Sequence, residues 1–218
     1  MQRKGTKNNP VFYVILILAI GMFTPMFILR SIGEFDFWWW MTGNLVILTS
    51  LGYFTDKTFQ KELSADFIHK IMKKVVLGLI SAAILYAVFF VGNSIVRWMF
   101  DFAGKDISKV YGFKGNAEAL RIGLLMLLII GPGEELLWRG YIQGTLSRSL
   151  GRYKGYLLGV IFYTLIHVAT GNLILIVAAL VGGIFWGWMD MKYNSMLMNI
   201  ISHIVWDIAI FLVIPLNG

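Results

Sequence analysis

The sequence predicts an all-α protein, a polytopic membrane bundle of about seven transmembrane helices. Of the 218 residues, 58% are hydrophobic and only 14% are charged. Soluble domains are usually about 45–50% apolar and about a quarter charged. Apolar runs long enough to span a bilayer also recur along the whole chain. These observations indicate an integral membrane protein.

Seven spans follow from helical rise, because about 20 residues at roughly 1.5 Å each cross a hydrocarbon core of about 30 Å. The predicted spans are 11–30, 37–54, 75–98, 120–146, 154–170, 172–190 and 195–214. The first lacks a small-residue cleavage site, so it is predicted to be a span and not a signal peptide.

Between the second and third spans, residues 57–74 combine apolar side chains with lysines. This pattern predicts an amphipathic helix on the membrane surface. We expect one integrated membrane domain, in which residues 1–117 supply the first three spans and the surface helix. Residues 118–218 supply the remaining spans and all the candidate functional residues.

The net charge of +7 is distributed in a way that predicts orientation and not binding to nucleic acid. With the N-terminus in the cytoplasm, twelve cations lie inside: Arg3, Lys4, Lys7, Lys57, Lys61, Lys70, Lys73, Lys74, Arg148, Arg152, Lys154 and Lys192. Six lie outside: Arg30, Arg97, Lys105, Lys109, Lys114 and Arg121. The positive-inside rule therefore predicts a cytoplasmic N-terminus and an external C-terminus, in what we expect to be a prokaryotic cell membrane.

Two further features have simple interpretations. Trp38, Trp39 and Trp40 begin a span, where tryptophans typically anchor a helix at the membrane interface. The sequence contains no cysteine, which excludes disulfides, thiol catalysis and cysteine-bound metal.

Six ionisable residues lie deep within the spans of the second half. They are Glu134, Glu135, Arg139, His167, His203 and Asp207. Insertion of each Asp, Lys or Arg at a helix centre costs about 2.5–3.5 kcal/mol. Such a concentration indicates a functional site in a shared, water-containing interior.

The spacing of Glu134, Glu135 and Arg139 indicates two different roles. Glu135 and Arg139 are four residues apart with the acid first, the favourable order for an ion pair, so a positioning role is predicted for both. Glu134 is rotated from Glu135 by about 100° and has no partner on its own helix, which favours direct chemistry.

Two other helices also present polar faces. Tyr163 and His167 share one face, and Asn199, His203 and Asp207 form a stripe on another. Asn199 is predicted to bond to a neighbouring helix. Asp207 either orients His203 or contacts the substrate.

Three motifs together resemble the CPBP family, the CAAX proteases and bacteriocin-processing intramembrane peptidases. EELLWR resembles the family's EExxxR motif, and YTLIH resembles FxxxH with Tyr163 in place of phenylalanine. HIVWD resembles the third motif, HxxxN or HxxxD, and ends in Asp207. The resemblance covers residues 118–210, with the motifs in the family's order.

The resemblance implies an intramembrane endopeptidase with a conical, water-filled cavity open to the cytoplasm and no metal cofactor. It assigns water activation to Glu134 and His167, and oxyanion stabilisation to His203 and Asp207. Glu135 and Arg139 would support the site. In the family, the position that corresponds to Asp207 can hold asparagine. Asparagine donates hydrogen bonds, whereas an ionised aspartate cannot donate one.

One geometric point predicts an irregular helix. Helical rise counted from the cytoplasmic ends places His167 nearer the outer face than Glu134 by about 10 Å. Proline kinks a helix, and the glycines that flank Pro132 in the GPG segment at 131–133 make the helix easier to bend. We therefore expect a helix break there that repositions Glu134.

Alternatives to this mechanism and function remain open. Glu134, His167 and His203 form a His₂Glu set, the composition of some catalytic zinc sites, although HExxH is absent. A non-catalytic bacteriocin-immunity or scaffold protein would keep the bundle without the chemistry. A transporter would show two matching broken-helix halves, which the sequence lacks.

The sequence also leaves the substrate class open. We expect a membrane-associated protein or peptide, either a prenylated CAAX protein or a leader or bacteriocin precursor. Membrane lipid is the other expected partner, and no nucleic acid is expected.

Overall fold

The computed structural model describes residues 10–216, and within that range every regular element is helical. A lone β-bridge joins Ile32 and Phe35 in the loop after the first helix. The predicted all-α class is confirmed. Arg3, Lys4 and Lys7, which contributed to the predicted orientation, lie outside the described residues.

The helices of the first half follow the predicted order. They are α1 (Pro10–Leu29), α2 (Phe37–Thr55), α3 (Lys57–Asp66), α4 (Ile71–Met99) and α5 (Ala103–Tyr111), with a 3-10 turn at Gly112–Lys114. The carboxylate of Asp36 starts α2, because it accepts hydrogen bonds from the backbone N–H groups of Trp38 and Trp39, both at 3.1 Å.

The second half opens with an uninterrupted helical segment, 119–150. It consists of α6 (Ala119–Leu125), a π-helical stretch (Met126–Ile130), α7 (Gly131–Glu134), a second π-helical stretch (Glu135–Gln143) and α8 (Gly144–Leu150). The later elements are α9 (Arg152–His167), a 3-10 turn (Val168–Thr170), α10 (Leu173–Tyr193), α11 (Met196–Ile208) and a last π-helical stretch (Ala209–Val213).

Four helical stretches of the described chain are long and apolar enough to cross a membrane. They are Pro10–Leu29, Ile71–Met99, Leu173–Tyr193 and Met196–Val213. The other three predicted spans also correspond to helices, namely α2, segment 119–150 and α9. Membrane crossing by these three helices stays a prediction. α9 has only 16 residues, and segment 119–150 carries charged side chains.

The predicted helix break at the GPG segment is wrong. The chain stays helical through α7, and the irregularity takes the form of the π-helical stretches before and after it. Pro132 lacks a donor and crowds the preceding turn, which a wider π-turn tolerates. The glycines instead allow close packing: a Cβ on Gly131 would lie 2.8 Å from Cγ1 of Ile204, and one on Gly133 would lie 3.0 Å from Cβ of Leu45.

The predicted surface helix at 57–74 is shorter than expected. α3 ends at Asp66, Lys70 adopts a left-handed conformation with φ of 54°, and α4 has begun by Ile71. The amphipathic character itself is present, because Phe59 is buried while the neighbouring Lys61 is exposed.

Contacts between loops and helix ends define two opposite ends of the bundle. At one end Arg148 pairs with Asp56, and the backbone N–H of Leu197 bonds to Asp66 at 2.8 Å. We call this the basic end; it comprises residues 55–74, 148–156 and 190–196. At the other end, the distal end, Arg121 pairs with Asp36, and the side chain of Asn172 bonds to the carbonyl oxygen of Asp106 at 2.8 Å. The distal end comprises residues 30–37, 97–121, 167–173 and 213–216.

Candidate active site

Glu135 is the centre of a buried polar cluster. Its side chain has no solvent exposure, and Oε1 lies 3.2 Å from a guanidinium nitrogen of Arg139. The side-chain amide of Asn199 donates to Oε2 at 3.1 Å, and Nδ1 of His203 lies 2.7 Å from Oε1. Asn199 also donates to the carbonyl oxygen of Trp186 at 2.8 Å, which joins α10 to α11. A buried charge needs this degree of pairing, so Glu135 serves as an anchor for its neighbours.

Arg139 is held on the other side by aromatic rings. Its guanidinium lies 4.3 Å from the ring centroid of Tyr163 and 5.5 Å from that of Trp186. The side chain is almost completely buried, and a second nitrogen reaches the carbonyl oxygen of Gly182 at 3.4 Å. Arg139 therefore connects the segment 119–150 with α9 and α10.

Glu134 faces away from this cluster, as its rotation on the helix predicts. Its carboxylate accepts a hydrogen bond from the hydroxyl of Tyr163, with 2.7 Å between the oxygen atoms. This bond occupies Oε2 and leaves Oε1 without a hydrogen-bond donor among the described residues. Glu134 thus keeps one oxygen for another partner.

His167 is oriented by its own helix. Nδ1 lies 2.8 Å from the carbonyl oxygen of Tyr163, and the ring lies 4.9 Å from that of Phe27. Since a carbonyl oxygen only accepts, the tautomer inferred from this contact carries its proton on Nδ1. Nε2 of the neutral ring is then an acceptor.

His203 is fixed by stacking and by Glu135. Its ring lies almost parallel to that of Trp186, with 3.8 Å between centroids and 13° between planes. Nδ1 meets the Glu135 carboxylate, while Nε2 lies 3.6 Å from Oδ1 of Asp207. That last distance is too long for a hydrogen bond, but it suits a charged contact when the imidazole carries both protons.

A cavity of about 110 Å³ brings the four predicted catalytic residues together. Its lining includes Glu134, His167, His203 and Asp207. Glu135, Arg139 and Asn199 are absent from the lining, in agreement with their supporting contacts behind it. The rest of the wall is mainly apolar and aromatic, from residues of α1, α2, α5, segment 119–150, α9, α10 and α11 and the neighbouring turns.

The cavity extends from these residues towards one end of the bundle. In segment 119–150 it follows Glu134, Ile130 and Met126, and in α10 it follows Trp186, Ala179 and Leu175. Both series run towards the distal end. α1 starts at the opposite, basic end of the bundle. The cytoplasmic N-terminus and the cytoplasmic opening of the cavity both stay predictions.

The structure adds tryptophans that sequence reasoning missed. Trp186 stacks on His203, and Trp206 and Trp38 line the cavity. Interface anchoring is wrong for Trp38, which is only 3% exposed, whereas Trp39 is 45% exposed and fits that prediction. Residues 38, 41, 45 and 48 form the buried face of α2, so Trp38 turns inward with that face. No spacing in the sequence singles out Trp186.

The described residues do not fit the zinc alternative. They contain no group of three or more His, Asp or Glu side chains arranged to hold a metal ion.

Fold and site together define a polytopic α-helical membrane protein with acidic and histidine side chains around an internal cavity. Residues 116–209 match the family model described as type II CAAX prenyl endopeptidase Rce1-like. The match confirms the recognition based on the three motifs and contains all of the predicted site residues. It supports a membrane endopeptidase in the broad sense. Comparison with curated proteins and with solved structures found no match.

Proposed function

We propose that this protein is an intramembrane endopeptidase in which Glu134 and His167 activate a water molecule. The observation that carries the proposal is the shared cavity, which unites Glu134, His167, His203 and Asp207 from three helical segments. A protein that used these residues only for packing would gain little from exposing four ionisable groups to one cavity, since each is costly within a membrane.

Water activation uses the atoms that the local contacts leave free. Oε1 of Glu134 accepts one proton as the water oxygen bonds to the substrate carbonyl carbon, while Nε2 of His167 accepts a hydrogen bond from the other O–H of that water. The proton then passes to the amide nitrogen as the C–N bond breaks. The products are a new carboxyl terminus and a new amino terminus.

His203 and Asp207 stabilise the negative oxygen of the tetrahedral intermediate. With Nδ1 donating to Glu135, His203 needs its second proton to donate from Nε2 to that oxygen. Asp207 lies on the Nε2 side and balances the charge of the doubly protonated ring. Its role is therefore to hold His203 in the donating form, which needs no hydrogen bond from Asp207 itself.

The remaining residues position these groups. Tyr163 holds Glu134 through its hydroxyl and His167 through its carbonyl oxygen. Glu135, Arg139 and Asn199 fix His203 from behind the cavity wall. The substrate is a membrane-associated protein or peptide, either lipidated as in CAAX proteins or a leader or bacteriocin precursor, and the apolar walls favour an apolar segment.

The test compares cells that express the wild type, Glu134→Gln or the exposed control Glu118→Gln at matched levels. New protein N- and C-termini are catalogued by mass spectrometry. We expect a set of termini present with the wild type and with Glu118→Gln but lost with Glu134→Gln. Identical catalogues from all three folded proteins would contradict the proposal and favour an immunity or scaffold protein.

A further inference from the structure

Trp186 of α10 presents a flat surface against which the imidazole ring of His203 lies. The two ring centroids are 3.8 Å apart, and the angle between the ring planes is 13°. Trp186 is 2% exposed and belongs to the lining of the cavity that holds the predicted catalytic residues. A change in this indole therefore acts directly on the ring to which we assign oxyanion stabilisation.

One hydrogen bond does not fix the plane of an imidazole ring. Nδ1 of His203 lies 2.7 Å from Oε1 of Glu135, which fixes one atom of the ring but leaves the ring able to tilt about that contact. The indole restricts this tilt, because a parallel ring at van der Waals distance occupies the space on one side. Aromatic faces also attract cations, which suits the doubly protonated imidazole that donates from Nε2.

The indole of Trp186 is itself held on three sides. Its Nε1–H group donates a hydrogen bond to Oγ of Ser202 at 3.1 Å. Gly182, one turn earlier in α10, leaves room for the ring, because a Cβ there would lie 2.8 Å from Cζ3 of the indole. The ring of Trp206 packs edge-on against it, with 5.5 Å between centroids. Ser202 and His203 are consecutive in α11, so one helix contacts the indole both at its N–H group and on its face.

The backbone of Trp186 belongs to the same polar network. Its carbonyl oxygen accepts a hydrogen bond from the side-chain amide of Asn199 at 2.8 Å, and that amide also donates to Oε2 of Glu135 at 3.1 Å. Glu135 in turn contacts His203. Side chain and backbone of one residue are thus both connected to His203, which fixes the ring before a substrate arrives. Such preorganisation is what an oxyanion donor requires.

We propose that Trp186 is a positioning residue for oxyanion stabilisation. Its indole, anchored by Ser202, sets the plane of the His203 ring and so directs Nε2 towards the substrate. Trp186 acts through His203 and supplies no atom to the reaction. The inference rests on the proposed peptidase function, because the donor role of His203 does. A misplacement of about 1 Å can lower a rate about 100-fold, so loss of the stack should be measurable.

The kinetic test uses proteoliposomes and the substrate identified from the terminus catalogue. Trp186→Leu removes the stack and should lower kcat about 30- to 100-fold with little change in KM, because the donor acts only in the transition state. Trp186→Phe keeps a ring that can stack and should remain within about tenfold of the wild type. Trp188→Leu is the matched control, since Trp188 is exposed on the same helix, and it should match the wild type.

A second comparison separates positioning from general structural support. In a His203→Gln background, Trp186→Leu should cause no further loss of kcat, because Trp186 acts only through the imidazole. Ser202→Ala removes a single hydroxyl and should lower kcat about threefold to tenfold, again only when His203 is present. This variant decides the question by itself if Trp186→Leu does not fold. Equal losses in both backgrounds, or a wild-type kcat in either variant, would overturn the proposal.

Unfolding in detergent, followed by circular dichroism, tests the stack without any activity. The losses in free energy of unfolding for Trp186→Leu and His203→Gln should exceed the loss of the double variant when summed, because both single changes remove the same contact. The losses for Trp188→Leu and His203→Gln should simply add. Additive losses for the stacked pair would overturn the proposal. Coupled losses in a protein that cleaves nothing would reject the peptidase function and leave the stack itself established.

Discussion

The hydroxyl of Tyr163 donates a hydrogen bond to Oε2 of Glu134 across 2.7 Å, although the resembled motif carries phenylalanine at this position. The carbonyl oxygen of the same tyrosine lies 2.8 Å from Nδ1 of His167. One residue of α9 therefore contacts both groups that we assign to water activation. The backbone contact does not depend on the side chain, whereas the contact to Glu134 does.

Tyr163→Phe should lower kcat/KM about tenfold, which corresponds to the lower end of the about 1.5–3 kcal/mol that a hydrogen bond to a charged group contributes, because the ring packing persists. Glu134→Gln should lower it by at least about 100-fold, since it removes a general base. Rates on the substrate identified from the terminus catalogue check both values. Tyr156→Phe, on the same helix with an exposed hydroxyl, should match the wild type. Equal losses in Tyr163→Phe and Glu134→Gln would contradict the supporting role of Tyr163.

Glu135→Gln should destabilise the protein by about 3–5 kcal/mol, because it leaves the buried Arg139 charge without its partner. Unfolding in detergent, followed by tryptophan fluorescence, measures the change. The double variant Glu135→Gln, Arg139→Gln should lose less stability than the sum of the two single variants, since no unpaired charge remains.

Lys109→Ala is the matched control for that pair. It removes a partly exposed ion pair with Asp106, 2.7 Å long, which contributes at most about 1 kcal/mol. If Glu135→Gln lowers the free energy of unfolding no more than Lys109→Ala does, the Glu135 cluster is not an anchor.

His203→Gln should reduce kcat by about 100- to 1,000-fold with little change in KM, because a donor to the oxyanion acts only in the transition state. Asp207→Ala should show a similar loss, since His203 then lacks its counter-charge. Asp207→Asn should lose activity about as much as Asp207→Ala, because the neutral amide does not supply the counter-charge either. Steady-state kinetics on the three variants separate these outcomes. An Asp207→Asn variant with near wild-type activity would contradict the counter-charge role and indicate a direct contact between residue 207 and the oxyanion.

Activity should survive dialysis against a strong chelator, and added zinc should not increase it, because the described residues offer no three-ligand group. The measurement is the cleavage rate before and after chelation, with the metal content followed by mass spectrometry. A loss on chelation that zinc restores would revive the His₂Glu alternative.

Much of the fold could be predicted from the sequence because helix length and hydropathy are local properties. The helices lie close to the predicted spans. The three motifs contain every polar residue of the candidate site except Asn199, which the polar stripe on α11 supplied. Only some contacts within the site could be predicted from the sequence. The Glu135–Arg139 pair follows from spacing on one helix. The hydrogen bond from Tyr163 to Glu134 joins different helices, so no spacing predicts it.

Other features depend on tertiary packing and had no sequence signal. The GPG segment was predicted as a break, whereas its glycines permit close contact with Ile204 and Leu45. Trp38 turns inward because it lies on the buried face of α2, and Trp186 reaches His203 only through the packing of α10 on α11. The direction of the cavity likewise emerges only when all the helices are assembled.

The central claim is that Glu134 drives hydrolysis of a peptide bond by water. The most direct measurement uses purified wild type and Glu134→Gln in proteoliposomes, with the identified substrate in ¹⁸O-labelled water. We predict rapid cleavage by the wild type, one solvent oxygen in the new carboxyl terminus, and a rate at least about 100-fold lower for Glu134→Gln. Cleavage by Glu134→Gln at the wild-type rate, or no cleavage by either protein, would contradict the claim.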